Sequence, residues 1–76
     1  MDPVRLDLTG LKCPLPVLRA RKALRGLPAG ATLEVVATDP MAAIDIPHML
    51  RQTGDDLLEQ RAEAERLVFR IRKAAP

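Results

Sequence analysis

The order in which strand-like and helix-like hydrophobic patterns follow one another constrains the fold of this 76-residue chain more than any other feature of its sequence. Apolar and polar side chains alternate along residues 4–8, 32–38 and 66–72, as in half-buried strands, and more weakly along 56–63. A helical segment follows each of the first two strands, which predicts the order β-α-β-α-β-β. Because each strand has one apolar face and each helix one apolar stripe, we expect an α+β fold. Both helices would cover one face of a single sheet in a two-layer α/β sandwich.

The first helix is predicted over residues 14–26. Pro14 suits its first position because proline has a fixed φ and no N–H to donate, and Gly26 is a suitable C-terminal stop. Leu18 falls among basic residues, on the side expected to meet solvent. The apolar stripe of this helix consists of Val17, Ala20, Leu24 and Leu27.

The second helix has two possible starts. Asp39 can cap it with Pro40 at the first helical position, or Asp45 can cap a later start with Pro47 in the first turn. The earlier start would place Pro47 inside the helix, where its missing N–H leaves one carbonyl unpaired. We therefore favour the later start, with a short turn followed by a regular helix over residues 45–53. Both aspartates are interpreted as helix caps.

Length and composition narrow the class of protein. A chain of this size buries only about 60% of its unfolded surface, so we expect one domain over residues 1–76. One Phe and no Trp or Tyr leave almost nothing for stacking on nucleic-acid bases, and the net charge is only +2. No apolar run approaches the roughly 20 residues of a membrane span, and no signal-peptide pattern is visible. A single cysteine forms no internal disulfide, so we expect a cytoplasmic protein. We also expect it to be monomeric when free and to have no DNA or membrane partners.

Cys13 is the strongest candidate for chemistry. It lies in the run Gly-Leu-Lys-Cys-Pro-Leu-Pro over residues 10–16, where a strand gives way to a helix. Pro14 and Pro16 hold this segment rigid and place Cys13 at or next to the helix N-cap. The positive end of the helix dipole is expected to lower the thiol pKa and favour the reactive thiolate. The alternative is a buried structural thiol, because free cysteines are often buried.

His48 is the only histidine of the chain. It falls off the apolar stripe formed by Ile46, Met49 and Leu50, so a solvated surface histidine is expected, and its role is left open. One Cys and one His cannot form a closed zinc site within one chain. We therefore predict no metal and no cofactor.

Basic side chains form the second face of the first helix. Charges of one sign beside Cys13 would stabilise its thiolate and attract an acidic partner surface, although such a face is also typical of any solvated amphipathic helix. We favour docking. The predicted partner-binding residues are Leu15, Leu18, Arg19, Arg21, Lys22 and Arg25.

The chain resembles the TusA-type (SirA-like) sulfur-carrier family, which has a Cys-Pro-X-Pro motif at the start of its first helix. The resemblance covers nearly the whole chain. The matching elements are Leu6-Asp7, Gly10-Leu11, Cys13-Pro14, Pro16-Val17, Arg21-Lys22, Gly30, Asp39-Pro40, Asp45-Ile46-Pro47 and Ile71-Arg72-Lys73.

The resemblance implies a four-stranded mixed sheet and a sulfurtransferase that acts as a carrier. Cys13 would accept a sulfane sulfur as a persulfide from a cysteine desulfurase or a rhodanese-like donor and pass it to an acceptor protein. Arg21 and Arg25 match basic positions where the family docks its donor, and Leu18 matches an apolar position on that surface. In the branch of the family that serves tRNA thiolation, the residue between the two prolines is often acidic, whereas here it is Leu15. Molybdenum-cofactor enzymes and sulfur oxidation are therefore alternative destinations.

Two other functions are compatible with the residues. The chain could be a non-catalytic module whose basic helix binds a protein or RNA. It could also be a thiol redox sensor, which with one cysteine would act through an intermolecular or mixed disulfide.

Overall fold

Four strands and two helices follow one another in the predicted order. The computed structural model describes residues 3–75. Within them, no helix has both the length and the apolar character that crossing a membrane requires. The elements are β1 (Val4–Leu8), α1 (Leu15–Arg25), β2 (Thr32–Ala37), α2 (Ala42–Thr53), β3 (Asp56–Glu63) and β4 (Arg66–Arg72).

The sheet has the order β1-β2-β4-β3. β1 runs parallel to β2, while β4 is antiparallel to both of its neighbours, so the mixed sheet is confirmed. Leu8 pairs with Ala37 where β1 and β2 end, which brings the loops that follow them to one edge of the sheet. Val4 pairs with Leu33 near the opposite edge, where Arg72 ends β4. This arrangement positions the site described below.

The core lies between the helices and one face of the sheet. Side chains on this face come from alternate strand positions, as the period-two pattern predicts. α1 contributes Ala20 and Leu24, which confirms the centre of its predicted stripe. The fully packed core residues are Leu8, Ala20, Leu24, Leu33, Val35, Ala37, Ala42, Ile46, Met49, Leu50, Phe69 and Ile71.

The other face of the sheet is open and carries charged side chains. Glu59 lies 3.0 Å from Arg61 and 3.9 Å from Arg70, in exposed ion pairs that contribute at most about 1 kcal/mol each. Val36 and Val68 pair with each other on this face and are only 3% and 5% exposed. Arg61 lies beside Val68 in the register, so the stems of long charged side chains shield the apolar centre of this face.

α1 begins one residue later than predicted. Pro14 occupies the N-cap and Pro16 the first turn, so the expectation of Pro14 at the first helical position is wrong. The Leu15 N–H donates to the Lys12 carbonyl at 2.9 Å, which closes a turn immediately before the helix. Because Pro14 belongs to this turn, the regular helix begins only after it.

Both glycines predicted to end helices occupy C-cap positions. Gly26 has a helical φ, whereas Gly54 has a φ of +85°. The Gly54 N–H donates to the Leu50 carbonyl at 2.8 Å, which satisfies one of the last free carbonyls of α2. The left-handed conformation at this position is one that glycine adopts without steric cost.

α2 begins at Ala42, so the favoured start at Asp45 is wrong and Pro47 lies inside the helix. A proline there cannot donate to the carbonyl four residues earlier, which is that of Ala43. The Gln60 side chain of β3 donates its amide to this carbonyl at 3.3 Å. A neighbouring strand therefore supplies the hydrogen bond that the proline removes.

Candidate functional site

Two loops meet beside Cys13 because β1 and β2 are parallel. The β1–α1 loop carries Cys13, and the β2–α2 loop carries Asp39. The Cys13 N–H donates to Asp39 Oδ2, and the Gly10 N–H donates to Thr38 Oγ1 at 2.8 Å. These bonds join residues 26 and 28 positions apart and fix the two loops to each other.

The Cys13 thiol is exposed, as the flanking prolines predict, and it is the only cysteine of the chain. Its Sγ donates to Asp45 Oδ2 across 3.4 Å. Asp45 belongs to the first turns of α2, so both helices contribute to the surroundings of the thiol. The reactive atom lies at the surface and is held by a carboxylate.

The expected lowering of the thiol pKa is wrong, because the surroundings of Cys13 raise it. The largest cause is the hydrogen bond to Asp45, which stabilises the neutral thiol. Slight desolvation and the negative charges of Asp45 and Asp39 act in the same direction. The sequence showed the helix end beside Cys13 but not the carboxylate that approaches from another helix.

The two aspartates predicted as helix caps contact Cys13 instead. Met41 is the N-cap of α2, and its side chain makes no capping bond. Asp39 accepts the backbone N–H groups of Cys13 and Met41, and these two bonds, with the nearby charge of Lys12, lower the pKa of its carboxyl group. Asp39 orients the loop that carries the thiol, whereas Asp45 binds the thiol itself.

The predicted basic face lies along α1. Arg19, Lys22 and Arg25 are exposed, and Arg21 is half-buried. Among residues 3–75, none of these four side chains forms an ion pair. Leu18 is 52% exposed among them, as predicted. This side of α1 is therefore cationic with an exposed apolar side chain, whereas the charges that act on the thiol itself are those of Asp45 and Asp39.

A groove of about 300 Å³ separates α1 from α2. Asp45 lines this groove and also contacts the thiol, so the groove begins at the site. His48 is exposed, as predicted, and its ring nitrogen lies 3.4 Å from the side-chain nitrogen of Gln52. The groove is lined by Val17, Leu18, Arg21, Asp45, His48, Met49 and Gln52.

Two exposed apolar residues near the site were missed in the sequence. Met41 is 45% exposed and its N–H donates to Asp39, while Ile44 is 64% exposed and directly precedes Asp45 in α2. Ile44 falls outside the buried stripe of α2, and this mismatch was the available signal. With Leu15 and Leu18 of α1, they supply exposed apolar side chains on both helices that flank the thiol. Such residues suit contact with another protein.

Comparisons with known proteins identify a family and relatives of this chain. A family profile described as sulfurtransferase TusA matches residues 4–73. The chain is 44% identical over 69 residues to the sulfur carrier protein TusA of Allochromatium vinosum, with 91% of each chain covered. It is 47% identical over 70 residues to the sulfur carrier protein TusA of Pseudomonas entomophila, with 92% of this chain and 88% of that protein covered.

A solved structure shows the same fold. The SirA-like protein of Desulfitobacterium hafniense superposes with a TM-score of 0.82 at 26% identity, over 95% of this chain and 99% of that one. The family profile and the two relatives cover nearly all of the residues that form the sheet, the helices and the loop of Cys13. The chain belongs to the TusA family of sulfur carrier proteins.

Proposed function

We propose that Cys13 carries sulfane sulfur as a persulfide and relays it from a donor protein to an acceptor protein. The observation that carries this proposal is the exposed Cys13 thiol, the only one of the chain, in a loop where β1 and β2 end and two residues before the exposed Leu15. Membership of a sulfur-carrier family favours this role over a non-catalytic module or a redox sensor.

The transfer needs no net oxidation or reduction. Cys13 loses its proton to solvent, and its thiolate attacks the outer sulfur of the donor persulfide. The donor's sulfur–sulfur bond breaks, the donor cysteine leaves as a thiolate, and Cys13–S–SH is formed. An acceptor thiolate then attacks the outer sulfur, and Cys13 leaves as a thiolate that takes up a proton. Docking supplies most of the rate enhancement because it holds the two sulfurs in contact.

The basic side of α1 is the proposed docking surface for the donor. Its cations form no ion pair among residues 3–75 and attract an acidic surface, and Leu18 provides an exposed apolar contact among them. A cysteine desulfurase or a rhodanese-like protein would be the donor. This surface consists of Leu18, Arg19, Arg21, Lys22 and Arg25.

Leu15 is the proposed contact for the acceptor. It is exposed two residues after Cys13, so an acceptor that reaches the outer sulfur also meets this side chain. The destination would be tRNA thiolation, a molybdenum-cofactor enzyme or sulfur oxidation. A reducing compartment such as the cytoplasm suits a lone exposed thiol, because an oxidising one would convert it to a mixed disulfide.

Mass spectrometry tests the relay directly. The protein is incubated with a cysteine desulfurase, cysteine and pyridoxal phosphate, and its intact mass is measured without reductant. We expect a gain of one sulfur atom on the wild-type chain and none on Cys13→Ser. Absence of the adduct in the wild type, or an adduct that persists in Cys13→Ser, would overturn the proposal.

A further inference from the structure

Asp45 is the side chain that contacts the thiol of Cys13, and it approaches from a different helix. We propose that Asp45 is a positioning residue that holds Cys13 of the unloaded carrier as a neutral thiol whose S–H is directed at the carboxylate. The part of this proposal that concerns sulfur loading rests on the proposed function. The part that concerns the thiol alone does not.

The geometry of two hydrogen bonds supports this role. Asp39 accepts the Cys13 N–H and fixes the backbone, while Asp45 accepts the S–H across 3.4 Å and fixes the side chain. An S–H group can donate to a carboxylate, whereas a thiolate cannot. Loss of the proton therefore breaks the second bond and leaves two anions side by side. The same contact raises the thiol pKa, as described above.

The charges near the thiol come from every element that surrounds it. Asp45 lies on α2 and Asp39 on the β2–α2 loop, and Lys12 precedes Cys13 in its own loop. Arg21 of α1 and His48 of α2 line the groove that Asp45 shares. A substitution at Asp45 leaves the other four groups in place, so a change in the titration of the thiol reports the removed carboxylate.

The consequence for the reaction follows from the order of its steps. Deprotonation of Cys13 precedes attack on the donor persulfide, and Asp45 opposes this deprotonation. The unloaded carrier is thereby kept less reactive toward alkylating and oxidising agents, since the thiolate is the reactive form. Loading then becomes slower at low pH than it would be without Asp45, and removal of its charge moves the pH profile of loading downward.

The test compares Asp45→Asn and Asp45→Ala with Asp56→Asn. Asp56 is an exposed aspartate of β3 that pairs with Arg72 near the opposite edge of the sheet, so it is a matched control. Alkylation of Cys13 by iodoacetamide is followed by mass across a pH series, together with the ultraviolet absorbance of the thiolate. Without Trp or Tyr and with one cysteine, the chain gives little competing signal. Circular dichroism verifies that each variant is folded.

Both Asp45 variants are expected to titrate Cys13 at lower pH than the wild type, and Asp56→Asn is expected to match the wild type. Each tenfold gain in thiolate is partly offset because a less basic thiolate is about threefold less nucleophilic. Alkylation near neutral pH should therefore rise roughly two- to fourfold. The pH profile of sulfur loading from the desulfurase should move in the same direction.

Two results would overturn this assignment. Unchanged alkylation profiles in folded Asp45 variants would show that the carboxylate does not hold the thiol. A shift in the alkylation profile without a shift in the loading profile would show that Asp45 does not influence sulfur loading. If no variant and no wild-type protein accepted sulfur while alkylation shifted as expected, the proposed function would fail and the restraint on the thiol would stand.

Discussion

Two leucines of α1 differ in burial and allow a matched test of what the helix does. Leu24 is 1% exposed and packs into the core, while Leu18 is 52% exposed on the proposed docking surface. Substitution of either by alanine makes the same chemical change in the same helix, so the change in helix propensity is similar. Any large difference between Leu24→Ala and Leu18→Ala in the free energy of unfolding must come from packing.

The magnitudes follow from burial. Truncation of a fully buried leucine costs about 2–5 kcal/mol, because apolar contacts are lost and a cavity remains. A surface substitution usually changes stability by less than about 0.5 kcal/mol. A 76-residue domain has a total stability of about 4–11 kcal/mol. Leu24→Ala should therefore remove a large part of the stability, and Leu18→Ala almost none of it.

Urea unfolding followed by far-ultraviolet circular dichroism measures this difference, since the chain has no Trp or Tyr for fluorescence. With a urea dependence near 1 kcal/mol per M, the midpoint of Leu24→Ala should fall by about 2 M or more. Leu18→Ala should keep the wild-type midpoint and load sulfur more slowly. Equal midpoints for the two variants, or a larger loss in Leu18→Ala, would refute the assignment of the buried and exposed sides of α1.

Three further predictions concern docking, packing and acid stability. Arg25→Glu should slow sulfur loading several-fold and reduce its salt dependence, measured as loading rate against ionic strength. The control is Arg5→Glu on the open face of the sheet. Equal slowing in this control would contradict docking through α1. Gln60→Leu leaves the Ala43 carbonyl without its donor and should cost about 0.5–1.5 kcal/mol in urea unfolding; an unchanged midpoint would show that this bond contributes nothing. The pKa of Asp39 is lower in the folded protein than its ordinary value, so its contribution is present above the unfolded pKa and is lost as the pH falls through the folded pKa. Asp39→Asn should therefore flatten the loss of thermal stability in acid, and an unchanged acid limb would argue against the paired Asp39 carboxylate.

Much of the fold was predictable because it depends on local spacing. Helical spacing alone placed Leu24 inside and Leu18 outside, and Gly54 ended α2 where a left-handed residue was needed. The start of α2 was mispredicted because proline was judged by its local effect only. The Gln60 side chain of β3 supplies the hydrogen bond that Pro47 removes. No pattern near Pro47 in the sequence predicts a hydrogen bond from a strand.

The candidate site was predictable in its reactive atom but not in its electrostatics. The run around Cys13 located an exposed thiol before a helix, and the structure agrees. The predicted direction of its pKa shift was wrong because Asp45, which causes the shift, is 32 residues away in the chain. Only the parallel pairing of β1 with β2 brings α2 against the thiol. Contacts of this range depend on topology, which a pattern of single residues does not specify.

The arrangement of the strands also decides where the molecule can be held. Val4 and Arg72 lie near the edge of the sheet opposite the loop of Cys13, about one strand length or 16 Å away for five residues. A surface tether attached at either residue would therefore project on that side. The protein could be immobilised through such a tether, charged with sulfur by one soluble protein, washed, and discharged to another while its thiol stays in open solution.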